Sequence, residues 1–535
     1  MILHTRFYRK GYACILLFMW VFLYSMSETA KTDPLWVFFE CGHGWEAGDS
    51  VSEKCIHEVT RTGAEIRTVS RYFNAVSVNY NGEADELKSI DSVREVRPVG
   101  SFPKTYKPPV KENAQIRFIA EKPGNHTLIY GASYNQLNIL NIPILHDMGY
   151  TGDGIVIGVL DAGFDLESTE CLKNINVSHQ RNFVKGGSDI KGHNHGTWVL
   201  ACLGGALENE YYGPAFGATF LLAVTEDYEK EARIEEDYWL AGVEWCDSLG
   251  VDIISSSLIY NDAHDNPDED YSQEDMDGKT SLIAQAAEMA VSRGIVVVNA
   301  AGNMESTFWR IIGTPADAEH VIAVGAVSVP EESAPLIAPF SLRGPTADGR
   351  IKPDIVAPGW MVNIQYGESV YMMNGTSYAA PIISGLCALL LEANPEWIPS
   401  TVMSALKYSA HDLGEEGPDN VYGWGLPDAY SAVHYSESGI ENKSSVKNED
   451  FILSQPYPNP FNPVITIQFT VQSESPVILE IFDITGRRVA QIMDMVCMPG
   501  IYQKFWNGEN HASGIYFIKA AVGESIDVKK AVLMK

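Results

Sequence analysis

Five short apolar runs recur through the middle of this 535-residue chain, at 155–160, 219–224, 251–256, 295–299 and 321–327. Four of the five are almost uniformly apolar, and 251–256 adds Asp252, Ser255 and Ser256 to an apolar centre. A strand with one wet face would alternate instead, so these runs suit strands covered on both faces. Helical spacing falls at 231–249, 280–293 and 377–392. Alternating strands and helices imply a parallel sheet with helices packed on either side, an α/β fold. The chain is too long for one ordinary core, so further domains are expected beside this one.

Three segments put reactive side chains at the ends of these elements. Asp161 ends the first run and is followed by the turn Ala162-Gly163. His195, within His193-Asn194-His195-Gly196-Thr197, precedes the apolar stretch 198–203. Ser377, within Asn374-Gly375-Thr376-Ser377-Tyr378-Ala379-Ala380-Pro381, opens the last helical pattern. A serine hydroxyl is a weak nucleophile at neutral pH and needs a neighbouring base. His195 can take its proton and return it to a leaving amine, while Asp161 orients the imidazole and stabilises its cation. Asn303, in Asn299-Ala300-Ala301-Gly302-Asn303, offers an amide N–H to a developing oxyanion, with the Ser377 backbone N–H as second donor. Each residue alone has an ordinary explanation as a turn or loop residue, and their order and contexts together carry the reading.

The order Asp, His, Ser, with these flanking residues, closely resembles the subtilisin-like serine proteases from near Gly131 to near Tyr435. The resemblance implies a subtilisin-like three-layer domain over 130–435 that hydrolyses peptide bonds through an acyl-enzyme. Asp161, His195 and Ser377 would be catalytic and Asn303 would hold the oxyanion. His193 is the rival base, but the Gly-Thr that the family pattern requires follows His195. Polypeptide substrates would bind as an added strand along Ser257, Leu258 and Ile259, facing Ala301 and Gly302. Ala162, Trp198 and Tyr378 depart from the family's usual Thr or Ser, His and Met, and none of them removes a proton-transfer group. Ile259 stands at a family glycine, so specificity does not carry over. The chemistry requires no cofactor. Relatives often carry structural calcium, and the acidic run 261–278 reads as a calcium site, a selector for basic substrates or a solvated loop. A catalytically silent surface-binding protein and a peptide ligase are alternatives on the same fold. The intact Asp161, His195, Asn303 and Ser377 argue against the first, and water exclusion would decide the second.

Flanking segments have their own signatures. Residues 1–27 read as an export signal, with Arg6, Arg9 and Lys10 before an apolar stretch at 13–24 and small residues at Ser25 and Ser27. No later segment reads as a membrane span. Within 34–100 a strand at 35–39, a helix at 51–62, a strand at 73–78, a helix at 84–90 and a strand at 93–98 are expected. That order is similar to the family's inhibitory propeptide, which implies that the chain's own propeptide is its inhibitor. A permanent accessory domain is the alternative. Residues 101–129, with Pro103, Pro108, Pro109 and Pro123, read as a connector, and the polar 436–452 as a linker. Residues 453–535 show short strands at 465–470, 477–481 and 516–521, an all-β sandwich pattern. Their Tyr457-Pro458-Asn459-Pro460-Phe461-Asn462-Pro463 opening, Ile481-Phe482-Asp483-Ile484-Thr485-Gly486-Arg487, Pro499-Gly500, Ser513-Gly514-Ile515-Tyr516 and Lys535 resemble the C-terminal sorting domain of type IX secretion. This implies the secretion machinery as a partner. It also implies a place outside the cell, or on the outer surface of a bacterium with an outer membrane.

A formal charge of −31 argues against a nucleic-acid-binding surface, which needs a basic footprint. The eight cysteines form no CxxC motif. Cys41 and Cys55 are a candidate local bridge, and Cys202, Cys246 and Cys387 read as buried thiols.

Overall fold

The computed structural model describes residues 34–40, 50–99, 126–228, 233–261, 271–304, 309–329, 334–436 and, with short gaps, 451–535. The export segment, Cys41, connector residues 101–125, linker residues 437–450 and acidic residues 262–270 lie outside the described residues. The chain forms two compact units, divided between Tyr435 and Ser436.

The first unit begins with β1 (Leu35–Phe39), α1 (Glu53–Thr60), β2 (Glu65–Ser70), β3 (Ala75–Asn79), α2 (Ala84–Lys88) and β4 (Val93–Pro98). Its sheet order is β2-β3-β1-β4, with every pairing antiparallel. The strand β2 was not expected. Its residues mix Glu65 and Arg67 with Ile66 and Val69, and only Ser70 is fully buried, so hydrophobic patterning alone does not mark it. Val37, Phe39, Val76 and Val78 pack under the helices with Val59 and Leu87. The other face carries Trp36, Phe38 and Ala75, which pack into a core shared with Trp239, Leu240 and Val243.

The central sheet is built from β5 (Val156–Asp161), β6 (Asn176–Asn182), β7 (Thr219–Val224), β8 (Ile253–Ser256), β9 (Val296–Ala300), β10 (Ile322–Ser328), β11 (Ile355–Tyr366) and β12 (Ser369–Asn374). Its order is β12-β11-β10-β9-β8-β5-β7-β6. All pairings are parallel except the β11–β12 hairpin. Helix α3 (His195–Gly204) and the long α6 (Thr376–Ala393) belong to the core on one face, while α4 (Ile234–Ser248) and α5 (Leu282–Ser292) belong to the core on the other. The result is three layers, as an α/β sequence pattern requires. Gly158 interrupts β5 because α4 crosses it closely: a Cβ there would lie 2.7 Å from Cys246 Sγ.

Several sequence expectations change here. Strands β6, β11 and β12 were not foreseen: β6 is mostly exposed and polar, Pro358 and Gly359 interrupt the apolar run of β11, and no side chain of β12 is fully buried. Helix α6 is long and apolar enough to cross a membrane, contrary to the reading that no later segment is. Its apolarity is spent inside the protein, where most of the helix is buried. Cys171, Cys202, Cys246 and Cys387 are buried free thiols, and burial pushes the thiols of Cys202, Cys246 and Cys387 far above the ordinary range.

The second unit holds β13 (Phe451–Leu453), β14 (Val464–Val471), β15 (Ser475–Asp483), β16 (Arg488–Cys497), β17 (Gly500–Asn507), β18 (Gly514–Val522) and β19 (Ser525–Leu533). They form two antiparallel sheets, β13-β14-β17 and β16-β15-β18-β19. Ile465, Ile467 and Phe469 from one sheet meet Leu479, Ile481 and Ile518 from the other. Strands β13, β16, β17 and β19 were missed. In β16, Met495 and Val496 are exposed apolar residues, so the in–out alternation that signals a strand is absent there.

Candidate active site

All four residues singled out in the sequence lie at carboxyl ends of central strands or at amino ends of the helices packed on them. Such edges are where open parallel sheets place ligands. Asp161 is the last residue of β5 and is fully buried. One carboxylate oxygen, Oδ1, accepts the Ala162 backbone N–H at 2.7 Å and pairs with His195 Nδ1 at 2.7 Å. With a carboxylate on Nδ1, that nitrogen carries the ring proton, and Nε2 is left as the basic atom in the neutral ring.

The chain is thin where this contact forms. A Cβ on Gly196 would lie 2.5 Å from Gly163 O and 2.9 Å from Asp161 Cβ. A Cβ on Gly192 would lie 2.4 Å from Ala162 O. Glycine at 196 therefore lets α3 settle on the end of β5 and carry His195, its first residue, against the carboxylate. The rival His193 is used differently. Its Nδ1 accepts the His195 backbone N–H at 3.3 Å, and its ring stacks on Tyr228 at 3.6 Å.

Ser377 is the second residue of α6, one later than the sequence pattern suggested, and is 8% exposed. Pro381 sits one turn further on and has no N–H to return to the Ser377 carbonyl. The Ser257 hydroxyl satisfies that carbonyl instead, at 2.9 Å, while Ser377 Oγ donates to Ser257 O at 3.3 Å. These paired contacts dock the start of α6 on the segment after β8. The imidazole of His195 faces the same region, with its ring centroid 6.2 Å from that of Tyr378.

Asn303 is oriented by a partner that sequence reading did not single out. Its Oδ1 accepts the Thr376 backbone N–H at 3.0 Å and the Thr376 hydroxyl at 3.2 Å. A backbone N–H can only donate, so the atom it meets is the amide oxygen, and the NH2 group must point the other way. Thr376 Oγ1 also accepts the Gly302 N–H at 3.1 Å, closing the loop around Asn303. Two sequence clues to these supports existed: Thr376 directly before the serine, and a proline within a helical pattern.

Of the residues expected to hold substrate, Ser257, Leu258 and Ile259 follow β8, and Ala301 and Gly302 follow the adjacent β9. Asn299 Nδ2 donates to Leu258 O at 2.9 Å and ties the two segments together. In the described part of the acidic run the carboxylates are used within turns. Asp275 Oδ2 accepts the backbone and hydroxyl of Ser272 at 2.8 and 2.9 Å, and Asp277 Oδ1 accepts the N–H groups of Lys279 and Thr280, both at 2.7 Å. Those carboxylates cap turns, and no cluster of His, Cys, Asp and Glu fit for a metal occurs among the described residues.

A buried aspartate paired with a part-buried histidine, together with a serine at a helix start, is a setting found in serine hydrolases. Residues 152–425 match the Subtilase family, and residues 455–534 match a Secretion system C-terminal sorting domain. The chain is 32% identical to Serine protease AprX of Bacillus subtilis, over 53% of its own length and 67% of that protein's. It is 30% identical to Subtilisin BL of Lederbergia lenta, over 54% and 95%. It is 28% identical to Subtilisin E of Bacillus subtilis, over 61% and 77%. The chain belongs to the subtilase family and is a serine-type endopeptidase. Its sorting domain marks it for secretion and for the bacterial cell surface.

Gly196→Ala tests the close approach of α3. The added methyl must push His195 away from Asp161, so peptide hydrolysis is expected to fall by about 10²-fold, the cost of a misplacement near 1 Å. Circular dichroism should remain native. Unchanged hydrolysis would mean that the helix accommodates the methyl without moving His195.

Proposed function

We propose that this enzyme cleaves extended polypeptides outside the cell through a Ser377 acyl-enzyme. The observation that carries the proposal is the 2.7 Å contact of His195 Nδ1 with buried Asp161, which directs Nε2 away from the carboxylate and leaves it available as a base. His195 takes the Ser377 proton as the hydroxyl attacks the scissile carbonyl, then gives it to the leaving amine. Asp161 holds the ring and stabilises its cation. The Asn303 NH2 and the Ser377 backbone N–H receive the oxyanion. Water, deprotonated by the same His195, then releases the acyl group. Substrate lies against Ser257, Leu258 and Ile259 on one side and Ala301 and Gly302 on the other. No step calls on a cofactor.

The full-length chain and its Ser377→Ala and Asn303→Ala variants test this together, by mass spectrometry of the precursor and by casein hydrolysis. The wild type is expected to trim itself within 101–129 and to cut casein, and Ser377→Ala to do neither. Asn303→Ala should be labelled by a fluorophosphonate at Ser377 yet turn over about 10²–10³-fold more slowly, the loss measured for such a donor in subtilisin. Casein hydrolysis by Ser377→Ala would sink the assignment.

The domain formed by β1–β4 is, in this proposal, an inhibitory propeptide docked on α4. Two carboxylates seven residues apart on α4 hold it. Asp237 accepts Trp36 Nε1 at 2.5 Å and the Ser77 hydroxyl at 2.6 Å, and pairs with Arg67 at 3.1 Å. Glu244 accepts the Ser70 hydroxyl at 2.6 Å and the N–H groups of Arg71 and Tyr72 at 2.9 and 3.3 Å. Burial pushes Asp237 up to about 6, outweighing Arg67, Ser77 and Trp36, and it raises Glu244 as well.

The sign follows from linkage. Once the domain leaves, Asp237 meets water and returns to the ordinary carboxylate range, so the docked state binds protons more tightly. Docking is strongest in acid and weakens as pH rises through about 6. Asp237 alone predicts roughly tenfold weaker docking at pH 8 than at pH 5. Dissociation of the cleaved domain, followed by size-exclusion chromatography across that range, checks it. Tighter docking at pH 8 would contradict it.

A further inference from the structure

We infer that Ile259 fills the pocket for the substrate side chain on the acyl side of the scissile bond, and so limits cleavage to bonds that follow a small residue. The inference deepens the proposed peptidase reading and rests on it.

The segments 257–260 and 300–303 leave the carboxyl ends of β8 and β9, which are parallel neighbours. The inferred crevice lies between these two segments. Ser377 Oγ lies 3.3 Å from Ser257 O on one wall, and Asn303 stands at the end of the other. A carbonyl held between the Ser377 hydroxyl and the Asn303 amide therefore has its own side chain directed into this crevice. A third segment closes the floor. Tyr260 and Thr314 exchange backbone hydrogen bonds of 2.9 and 3.1 Å, and Gly313 N donates to Ala301 O at 3.4 Å.

Two of the three walls carry glycine, at Gly302 and Gly313, which would leave the crevice open. Ile259 occupies the space they leave. A Cβ on Gly302 would lie 2.5 Å from Ile259 Cδ1, and a Cβ on Gly313 would lie 3.2 Å from both Cβ and Cδ1 of Ile259. Ile259 is only partly buried, so part of its side chain remains at the surface between these segments. Its branched Cβ leaves few rotamers, and Leu342 Cδ1 crowds the same side of Gly302, 2.8 Å from where a Cβ there would lie. A methyl side chain needs no crevice, whereas leucine or phenylalanine needs the volume that Ile259 holds. Pocket selectivity runs at about 10–200-fold per methylene, so a filled crevice should cost a phenylalanine substrate at least that much.

The test compares full-length wild type with Ile259→Gly and Ile259→Ala on Ala-Ala-Pro-Xaa nitroanilides, where Xaa is Ala, Leu or Phe. Fluorophosphonate labelling of Ser377 counts active molecules in each preparation. Wild type is expected to prefer Ala over Phe in kcat/KM by at least about tenfold. Ile259→Ala should narrow that ratio, and Ile259→Gly should reverse it. The alanine variant keeps a Cβ and ordinary backbone preferences, so it carries the test should the glycine variant fold poorly. Labelled enzymes that share one Ala-to-Phe ratio, or a wild type that already cleaves after Phe as fast as after Ala, would overturn the inference and leave the peptidase reading intact. Absence of labelling in all three proteins would overturn both.

Discussion

The contact between Asp161 and His195 is the constraint around which the catalytic unit is arranged. A fully buried carboxylate is tolerable only when hydrogen bonds replace water. Asp161 receives two, from Ala162 N and His195 Nδ1, both on the same oxygen. For the imidazole to reach it, α3 must descend onto the end of β5. That approach leaves no room for a side chain at Gly196 or Gly192. The glycines of the segment are thus a consequence of one short contact.

The same logic recurs at the start of α6. Pro381 deletes one rung of the helix, and Ser257 takes up the carbonyl left behind. That contact binds the proposed nucleophile to the segment proposed to carry substrate. Thr376, one residue earlier, turns the amide of Asn303. Ser377 and Asn303 are therefore set by neighbouring residues of one helix start, so a shift of α6 would move both together. Across the sheet, α4 uses buried carboxylates for another purpose. Asp237 and Glu244 lie seven residues apart, about two helical turns, and so share one helix face that the N-terminal domain covers. Ion pairs and hydrogen bonds make that contact specific, and burial raises the proton affinity of Asp237 within it.

Much of the architecture was legible because its signals are local. Five apolar runs marked five central strands to within a residue or two at each end. The aspartate, histidine, serine and asparagine stood out because turn and helix-start residues surround them. Strands β2 and β6 escaped notice for a shared reason: both carry polar or charged side chains. In β2, Arg67 looks solvent-bound in sequence, yet its side chain is only 10% exposed against Asp237, some 170 residues away. In the sorting domain, β16 hides behind exposed Met495 and Val496, which break the alternation.

What the sequence determined by itself was the alternation of buried strands and helices, the order of the reactive residues, and the change to an all-β pattern near 453. Each follows from periodicity or from residue chemistry at a single position. Tertiary structure decided which way the Asn303 amide faces, what His193 does instead of meeting Asp161, and what Ile259 packs against. Those depend on atoms brought together from segments far apart in the chain. Gly302 and Gly313 come against Ile259 only because the segments 257–260, 300–303 and 311–314 meet, and no local pattern around residue 259 reports that meeting.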